Sequence, residues 1–353
     1  MSDLHRHIDN VRQQLGKRLL ILGHHYQREE VIAHADLRGD SFQLSAAAAN
    51  NTECDTIIFC GVHFMAETAD ILANSAENLA RRNGQRINVL LPDLTAGCSM
   101  ADMATRHDVE RCWNKLSEII DINDVVPITY VNSTAELKAF CGQHGGFACT
   151  STNAQAVLET ALKQKRRVLF FPDQHLGRNT ALKMGIAESE IVCWDDAVAG
   201  QVRESRIILW SGYCSVHQKF LPSHVDAIRE TYAGIRVIVH PECFREVVDK
   251  ADESGSTSFM LNRISKSPAG SSWAVGTESR FVERLAKQNP DKTVVNLSFQ
   301  PSYCDTMALI DVPKLAATLD SAESGQPKNI IRVENTIAAD AILCLQRMLE
   351  CQS

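Results

Sequence analysis

Residues 168–177 read VLFFPDQHLG. A short run of apolar residues gives way at a proline to Asp173, Gln174 and His175. A run that short, apolar without alternation, fits a strand covered on both faces, the strand of a parallel sheet. Its polar exit lies just beyond a strand carboxyl end, where open α/β sheets bind ligands. The same pattern recurs outward in both directions. Strands are expected near 19–22, 56–60, 88–91, 125–131, 191–194, 207–210, 237–239, 273–275 and 293–297. Amphipathic helical stretches lie between most of them, among them 153–164, 223–232 and 278–288. The class is α/β. Most strand exits are polar: His24 to Tyr26, Asp93, Tyr130 and Asn132, Gly212 to Cys214, His240 and Glu242, Thr277 and Glu278. So many furnished ends suggest several small sheets aimed at one cleft. There is no long linker or exact repeat. Residues 321–328, SAESGQPK, are the most loop-like internal stretch. They should precede a last strand at 329–333 and a terminal helix that packs on the first domain.

The 353 residues are enough for two or three domains, each with its own core. A net charge of −7 argues against non-specific binding to nucleic acid or acidic membranes. It leaves room for an anionic substrate, since a few local cations or helix N-termini suffice. Residues 1–20 lack the apolar core of a signal peptide. No stretch approaches the ~18–20 apolar residues of a membrane helix. The expected compartment is the reducing cytoplasm, where the 12 cysteines would not form disulfides.

Most cysteines sit in apolar runs, such as Cys60 in TIIFC and Cys344 in AILCL, and read as small buried hydrophobes. Three differ. Cys98 ends LLPDLTAGCSM, Cys214 sits in ILWSGYCSVHQKF and Cys304 in VVNLSFQPSYCDTM, each with Gly or Pro within three residues to turn the chain. Their wide separation excludes a zinc ribbon or compact ferredoxin run. Spacing alone leaves open three unrelated loop cysteines or one shared metal, but each follows an expected strand, one per third of the chain. Were the thiolates to converge, three ligands and a vacant position would suit a [4Fe–4S] cluster with one Lewis-acidic iron, with zinc plus water as competitor.

The loops around these cysteines resemble the quinolinate synthase family, in a match running from residue 21 to about 309. In order it comprises LGHHYQ at 22–27, GDS at 39–41, CGVHFMAETADIL at 60–72, LPDLTAGCSM at 91–100, ITYVNSTAE at 128–136 and CTSTNA at 149–154. FPDQHLG at 171–177, WSGYCSVHQKF at 210–220, HPEC at 240–243, GSTS at 255–258 and GTE at 276–278 follow. Some members carry C-x-x-C-x-x-C at the third ligand. Here Ser298, Pro301 and Cys304 stand there, which resembles the shorter archaeal and thermophilic pattern. After GTE many members have small apolar residues, whereas this chain has Ser279, Arg280 and Phe281.

The resemblance implies a transferase that condenses iminoaspartate with dihydroxyacetone phosphate to quinolinate, releasing phosphate and water, in de novo NAD biosynthesis. It implies an oxygen-sensitive [4Fe–4S] cluster on Cys98, Cys214 and Cys304. It also implies three similar small α/β/α domains with parallel sheets around a central cleft that holds the cluster. We expect them at 1–98 plus about 305–353, 99–213 and 214–304. Iron–sulfur assembly proteins and an L-aspartate-oxidising enzyme are the implied partners. The alternatives are another iron–sulfur hydro-lyase acting on a small hydroxy acid, and a redox-sensing binding protein. The latter would not need the furnished strand ends.

Glu242 is the expected general base, its pKa raised toward working pH in a closed cleft. The residues alone equally allow a helix cap. His240 and His24 could hold substrate carboxylates or shuttle protons. His24 rather than His25 fits the family's H-x-Y. Tyr26 would assist isomerisation of the triose-derived carbons. Tyr130, Asn132 and Ser151 would offer neutral hydrogen bonds near the open iron, though such residues are also ordinary turn formers. Ser41, Ser256 and Thr257, beside Gly39 and Gly255, are candidate anion binders. Asp173 and His175 are expected to be structural or interdomain. Met65 and Glu67 are expected to serve packing and helix-start electrostatics.

Overall fold

The computed structural model describes residues 2–351. Its strands form three sheets. The first contains β1 (Leu19–His24), β2 (Leu37–Gly39), β3 (Thr56–Cys60) and β4 (Asn88–Leu90), in the order β2-β1-β3-β4. The second contains β5 (Val125–Tyr130), β6 (Phe147–Cys149), β7 (Arg167–Phe171), β8 (Ile191–Cys193) and β9 (Ile207–Leu209), in the order β6-β5-β7-β9-β8. The third contains β10 (Arg236–Val239), β11 (Glu253–Ser254), β12 (Ser272–Gly276) and β13 (Thr293–Asn296), in the order β11-β10-β12-β13. All these ladders are parallel. Each sheet therefore repeats one plan, with its second strand at one edge, then its first, then its third. Next comes the strand that leads to a cysteine: β4, β9 or β13. The expectation of three α/β units is met.

The central strands are buried along their length, as in TIIFC of β3 and RVLFF of β7. Helices on both faces enforce this, and parallel crossovers require such cover. The first two units share one continuous apolar core. The third has separate clusters, such as that of Val237 and Val239 and that of Ile238 and Trp273. Polar contacts tie it to its neighbours: Asn179 Nδ2 donates to the carbonyls of Pro241 (2.8 Å) and Cys243 (2.9 Å), and Arg284 donates to the His25 carbonyl.

Three strands escape the sequence reading. β2 (LRG) and β11 (ES) hold too few apolar residues to read as buried strands, and β6 (FAC) follows directly on Gly145 and Gly146. The loop expected at 321–328 is shorter than its composition suggests. The helix Val312–Glu323 runs through its first residues, because Leu315, Ala316 and Leu319 continue a buried face. The chain then turns at Gly325, whose φ of 72° suits glycine.

The last strand, β14 (Ile330–Ile331), pairs antiparallel with β4 in the first sheet. The helix after it, Asn335–Glu350, does not pack on the first unit alone. It lies mainly on the helix Ala135–Gln143 and on β6 of the second unit. Arg347 donates to the Gly146 carbonyl (2.7 Å), and Asn153 Nδ2 to that of Met348 (2.9 Å). Gly142 permits this approach, since a Cβ there would sit 1.8 Å from the Asp340 carbonyl oxygen. Backbone cannot yield as a side chain can. Gly142→Ala is therefore expected to destabilise the fold by about 3 kcal/mol, the upper range for overpacking, read from urea unfolding. A loss under about 0.5 kcal/mol would mean the helices separate freely.

Candidate active site

The three cysteines leave their sheets through the same turn. Cys98 follows β4, Cys214 follows β9 and Cys304 follows β13. Three residues after each begins a 3₁₀ turn: Ala101–Met103, His217–Lys219 and Met307–Leu309. Eight residues after each begins an α-helix, at Arg106, Pro222 and Val312. Each cysteine carbonyl accepts from the amide four residues on, at 3.2 Å in all three turns. Amides of the turn also face the sulfur, from Met100 and Ala101 to Cys98, Val216 to Cys214, and Thr306 and Met307 to Cys304. Such a turn presents a thiol to a partner and favours its ionised form.

All three cysteines line one cavity. Burial pushes Cys98 up to about 12, Cys214 well above its ordinary value, and Cys304 upward as well. Among the described residues, no Lys or Arg lines this cavity. A bound cationic metal centre would supply the charge that ionises them. Three thiols on repeated turns, with soft donor chemistry, fit a three-cysteine iron–sulfur site. A second metal-capable group overlaps it: ligand atoms of Cys214, His217 and Glu242 lie within 4.8 Å of one another.

The first strand of each unit supplies the next layer. His24 and Tyr26, Tyr130 and Asn132, and His240 and Glu242 stand at the carboxyl ends of β1, β5 and β10. The Tyr26 amide donates to His24 Nδ1 (3.2 Å), and the Glu242 amide to His240 Nδ1 (3.3 Å). Those bonds leave the proton on Nε2 of each ring. Burial, helped by His25 for His24 and by His217 for His240, lowers both to about 3. They are neutral donors at working pH.

Glu242 accepts from Tyr130 Oη (2.5 Å) at Oε1 and pairs with His217 Nδ1 (3.0 Å) at Oε2. The expected upward pKa shift does not occur. Burial does push the carboxyl up, but the imidazoles of His240 and His217 that face it and the hydrogen bonds from His217 and Tyr130 outweigh that and hold it below the ordinary carboxylate range. Glu242 is an anchored, ionised carboxylate. Tyr26 and Tyr130 are raised well above their ordinary value, chiefly by burial and then by Glu242, and stay protonated.

The second strands lead to helix starts. Ser41 opens the helix Ser41–Asn50, Ser151 precedes Ala154–Gln164, and Thr257 opens Thr257–Ser265. One residue joins them. Asp40 accepts from Gln43 N (2.9 Å) in its own helix, from Thr152 Oγ1 (2.8 Å) of the second unit and from Ser258 Oγ (2.6 Å) of the third. Helix N-termini give anions a positive end without a charged side chain. A groove of about 830 Å³ between the second and third units shares Ser151 with the cavity.

All the site residues expected from the sequence line this cavity except Ser256. Ser256 lines the groove and caps its helix by accepting from Phe259 N (3.3 Å). Met65 packs and also lines the cavity. Glu67 accepts from Ala135 N (3.1 Å), steadying a helix start of the neighbouring unit. Asp173 caps its helix through Leu176 N (2.7 Å), and His175 meets Phe244 edge-on across the unit boundary, ring centroids 5.2 Å apart. Sequence reasoning missed Asp40 and His217. His217 stacks on His240 at 4.3 Å and reaches Thr277 Oγ1 (3.2 Å) through Nε2. The signal was its place three residues after Cys214, where the other turns have Ala101 and Met307.

Three parallel α/β units that close polar strand ends and three thiols around one cavity define an enzyme of the α/β class. The family profile described as Quinolinate synthetase A protein matches residues 6–350. The quinolinate synthase of Rhodopirellula baltica is 53% identical over 353 residues, covering 98% of this chain and 90% of the relative. That of Bacillus subtilis is 47% identical over 353 residues (99% and 93%), and that of a Nocardioides species 48% over 348 (95% and 86%). The chain belongs to the quinolinate synthetase A family. No helix among the described residues is long and apolar enough to cross a membrane.

Proposed function

We propose that this enzyme is a quinolinate synthase of NAD biosynthesis, a transferase that condenses iminoaspartate with dihydroxyacetone phosphate and releases quinolinate, phosphate and water. The observation that carries the reading is the convergence of Cys98, Cys214 and Cys304, on one repeated turn, into a cavity walled by hydrogen-bonding strand ends. These thiols would hold a [4Fe–4S] cluster, whose open iron supplies Lewis acidity toward a substrate hydroxyl, carbonyl or carboxylate.

The chain's own residues divide the remaining work. His24 and His240 donate from Nε2 to substrate carboxylates. Asn132 Oδ1, buried without a partner, and Ser151 orient the imine end. Ser41 and Thr257, at helix starts, take the phosphate of the triose, which suits a cavity without lysine or arginine. Ser256, at the groove, meets that phosphate on its way in. Tyr26 Oη, bonded to Thr277 Oγ1 (2.7 Å), serves the isomerisation. The Glu242–His217 pair moves protons, with Glu242 orienting the ring. We place the enzyme in the cytoplasm. It would receive its cluster from iron–sulfur assembly proteins and its unstable imine from an aspartate-oxidising enzyme.

A second reading has one specific observation behind it. Cys214, His217 and Glu242 could hold a single ion. Protein isolated without oxygen should carry about four iron and four sulfide per chain under the first reading, and should form quinolinate from the two substrates. Zinc without sulfide, in protein made with ample iron, would sink the cluster.

A further inference from the structure

In every unit the third strand neighbours the strand that leads to the cysteine. Two residues beyond that third strand stands the N-cap of the next helix: Val62 after β3, Asp173 after β7 and Glu278 after β12. Two of these equivalent caps are carboxylates, both wholly buried. A cap needs one oxygen at the helix mouth. Asp173 uses Oδ1, on Leu176 N (2.7 Å), and Glu278 uses Oε2, on Arg280 N (2.8 Å) and Phe281 N (3.2 Å).

The remaining oxygen of Glu278 faces a cysteine turn. Glu278 Oε1 accepts from Cys304 N (3.2 Å) and from Arg280 Nη1 (3.0 Å). The grip is continuous along the strand end. Ser279 N donates to the Ser302 carbonyl (2.8 Å), and Ser302 N donates back to Ser279 Oγ (2.8 Å). Arg280, held by Glu278, lies over the ring of Tyr303 with its guanidinium 4.5 Å from the centroid. In the second unit Asp173 bridges to Gly212, and Gln174 N donates to the Gly212 carbonyl (2.9 Å), two residues before Cys214. Asp173 Oδ2 is buried with no hydrogen-bond partner among the described residues, so this side chain serves its own helix. The first unit makes the same junction with backbone alone, His63 N to the Ala96 carbonyl (2.8 Å).

We propose that Glu278 is a positioning residue for the metal centre: its carboxylate anchors the backbone of the ligating Cys304, while the Cys98 and Cys214 turns are tied to the neighbouring helix starts through backbone bonds. The inference rests on the cluster reading above. It gives the GTE segment a task, and it gives Arg280 the task of fixing Glu278. Outer partners of metal ligands set ligand orientation, and losing one costs about 10–100-fold in metal affinity.

The test uses whole protein loaded with cluster without oxygen. Glu278→Ser keeps a cap for the helix but is too short to hold the cysteine backbone. It should fold. It should lose iron to a chelator about 10–100-fold faster than wild type, with a changed EPR signal of the reduced cluster and a shifted reduction potential. Glu278→Gln, whose carbonyl oxygen still accepts from Cys304 N, should recover most of the wild-type rate. Wild-type iron loss, signal and potential in Glu278→Ser would leave this residue as a helix cap only and overturn the inference. Should the serine variant fail to fold, Glu278→Asp, one methylene shorter and still a cap, decides by the same two outcomes. Wild-type protein that takes up no iron and sulfide overturns the cluster reading and this inference together. Loaded wild type with an unaffected variant overturns only the inference.

Discussion

Cys98→Ala and Cys304→Ala are each expected to bring iron and sulfide from about four per chain to near zero and to abolish quinolinate formation. These two cysteines decide more than Cys214 does. Cys214 belongs both to the three-thiol site and to the group it forms with His217 and Glu242, so its loss harms either centre. Cys98 and Cys304 belong only to the first. A [4Fe–4S] cluster held by three protein thiolates cannot easily lose one, since two would remain to hold a centre that already has an open position. Folding should survive the change. The thiols cap no helix, and their turns are held by backbone bonds, such as Cys98 carbonyl to Asp102 N and Cys304 carbonyl to Ala308 N, both 3.2 Å. Circular dichroism would check that, and metal analysis of protein purified without oxygen would read the result. An alanine variant of Cys98 or Cys304 that keeps full iron, sulfide and turnover would remove it from the ligand set.

The α/β class was legible because parallel strands advertise themselves. TIIFC and VLFF are apolar on both faces, and a short run of that kind has few other fates. The three chemical cysteines were legible by contrast, since they stand in turns among polar neighbours. The shared plan of the three units was not legible. GCSMADM, YCSVHQK and YCDTMAL agree in little beyond the cysteine, because the turn is set by backbone bonds that tolerate many side chains. Of the strands that bring Ser41, Ser151 and Thr257 to the cavity, LRG and ES hold too few apolar residues to read as buried strands, and FAC follows directly on two glycines. Asp40 was hidden for another reason. Its partners Thr152 and Ser258 lie more than a hundred residues away, and a lone Asp before a helix reads as a cap, which it also is. Burial of Glu242 was visible in the strand-end reading, whereas the hydrogen bond it makes with His217 was not.

Glu242→Gln is expected to keep its iron and sulfide and to lower turnover by about 10²–10⁴-fold, the range for a lost acid–base group. Glutamine fills the same space. Its carbonyl oxygen can still accept from Tyr130 Oη, so the wall of the cavity stays in place. The other end of the side chain changes sense. Where Oε2 accepted from His217 Nδ1, an amide nitrogen would donate to it. The ring of His217 must then carry its proton on Nε2, facing Thr277 Oγ1 and Tyr26 Oη. Geometry survives and proton placement is reversed, as when the buried acid of a hydrolytic triad is replaced by its amide. The loss should fall on kcat more than on KM, because substrate contacts through His24, Ser41 and Thr257 are untouched. A purely structural role for Glu242 predicts something different: a lower melting temperature with near-normal turnover in the surviving protein. Wild-type turnover in the loaded variant would take proton transfer away from the Glu242–His217 pair and leave it to His24 and His240, the other imidazoles that line the cavity among the described residues.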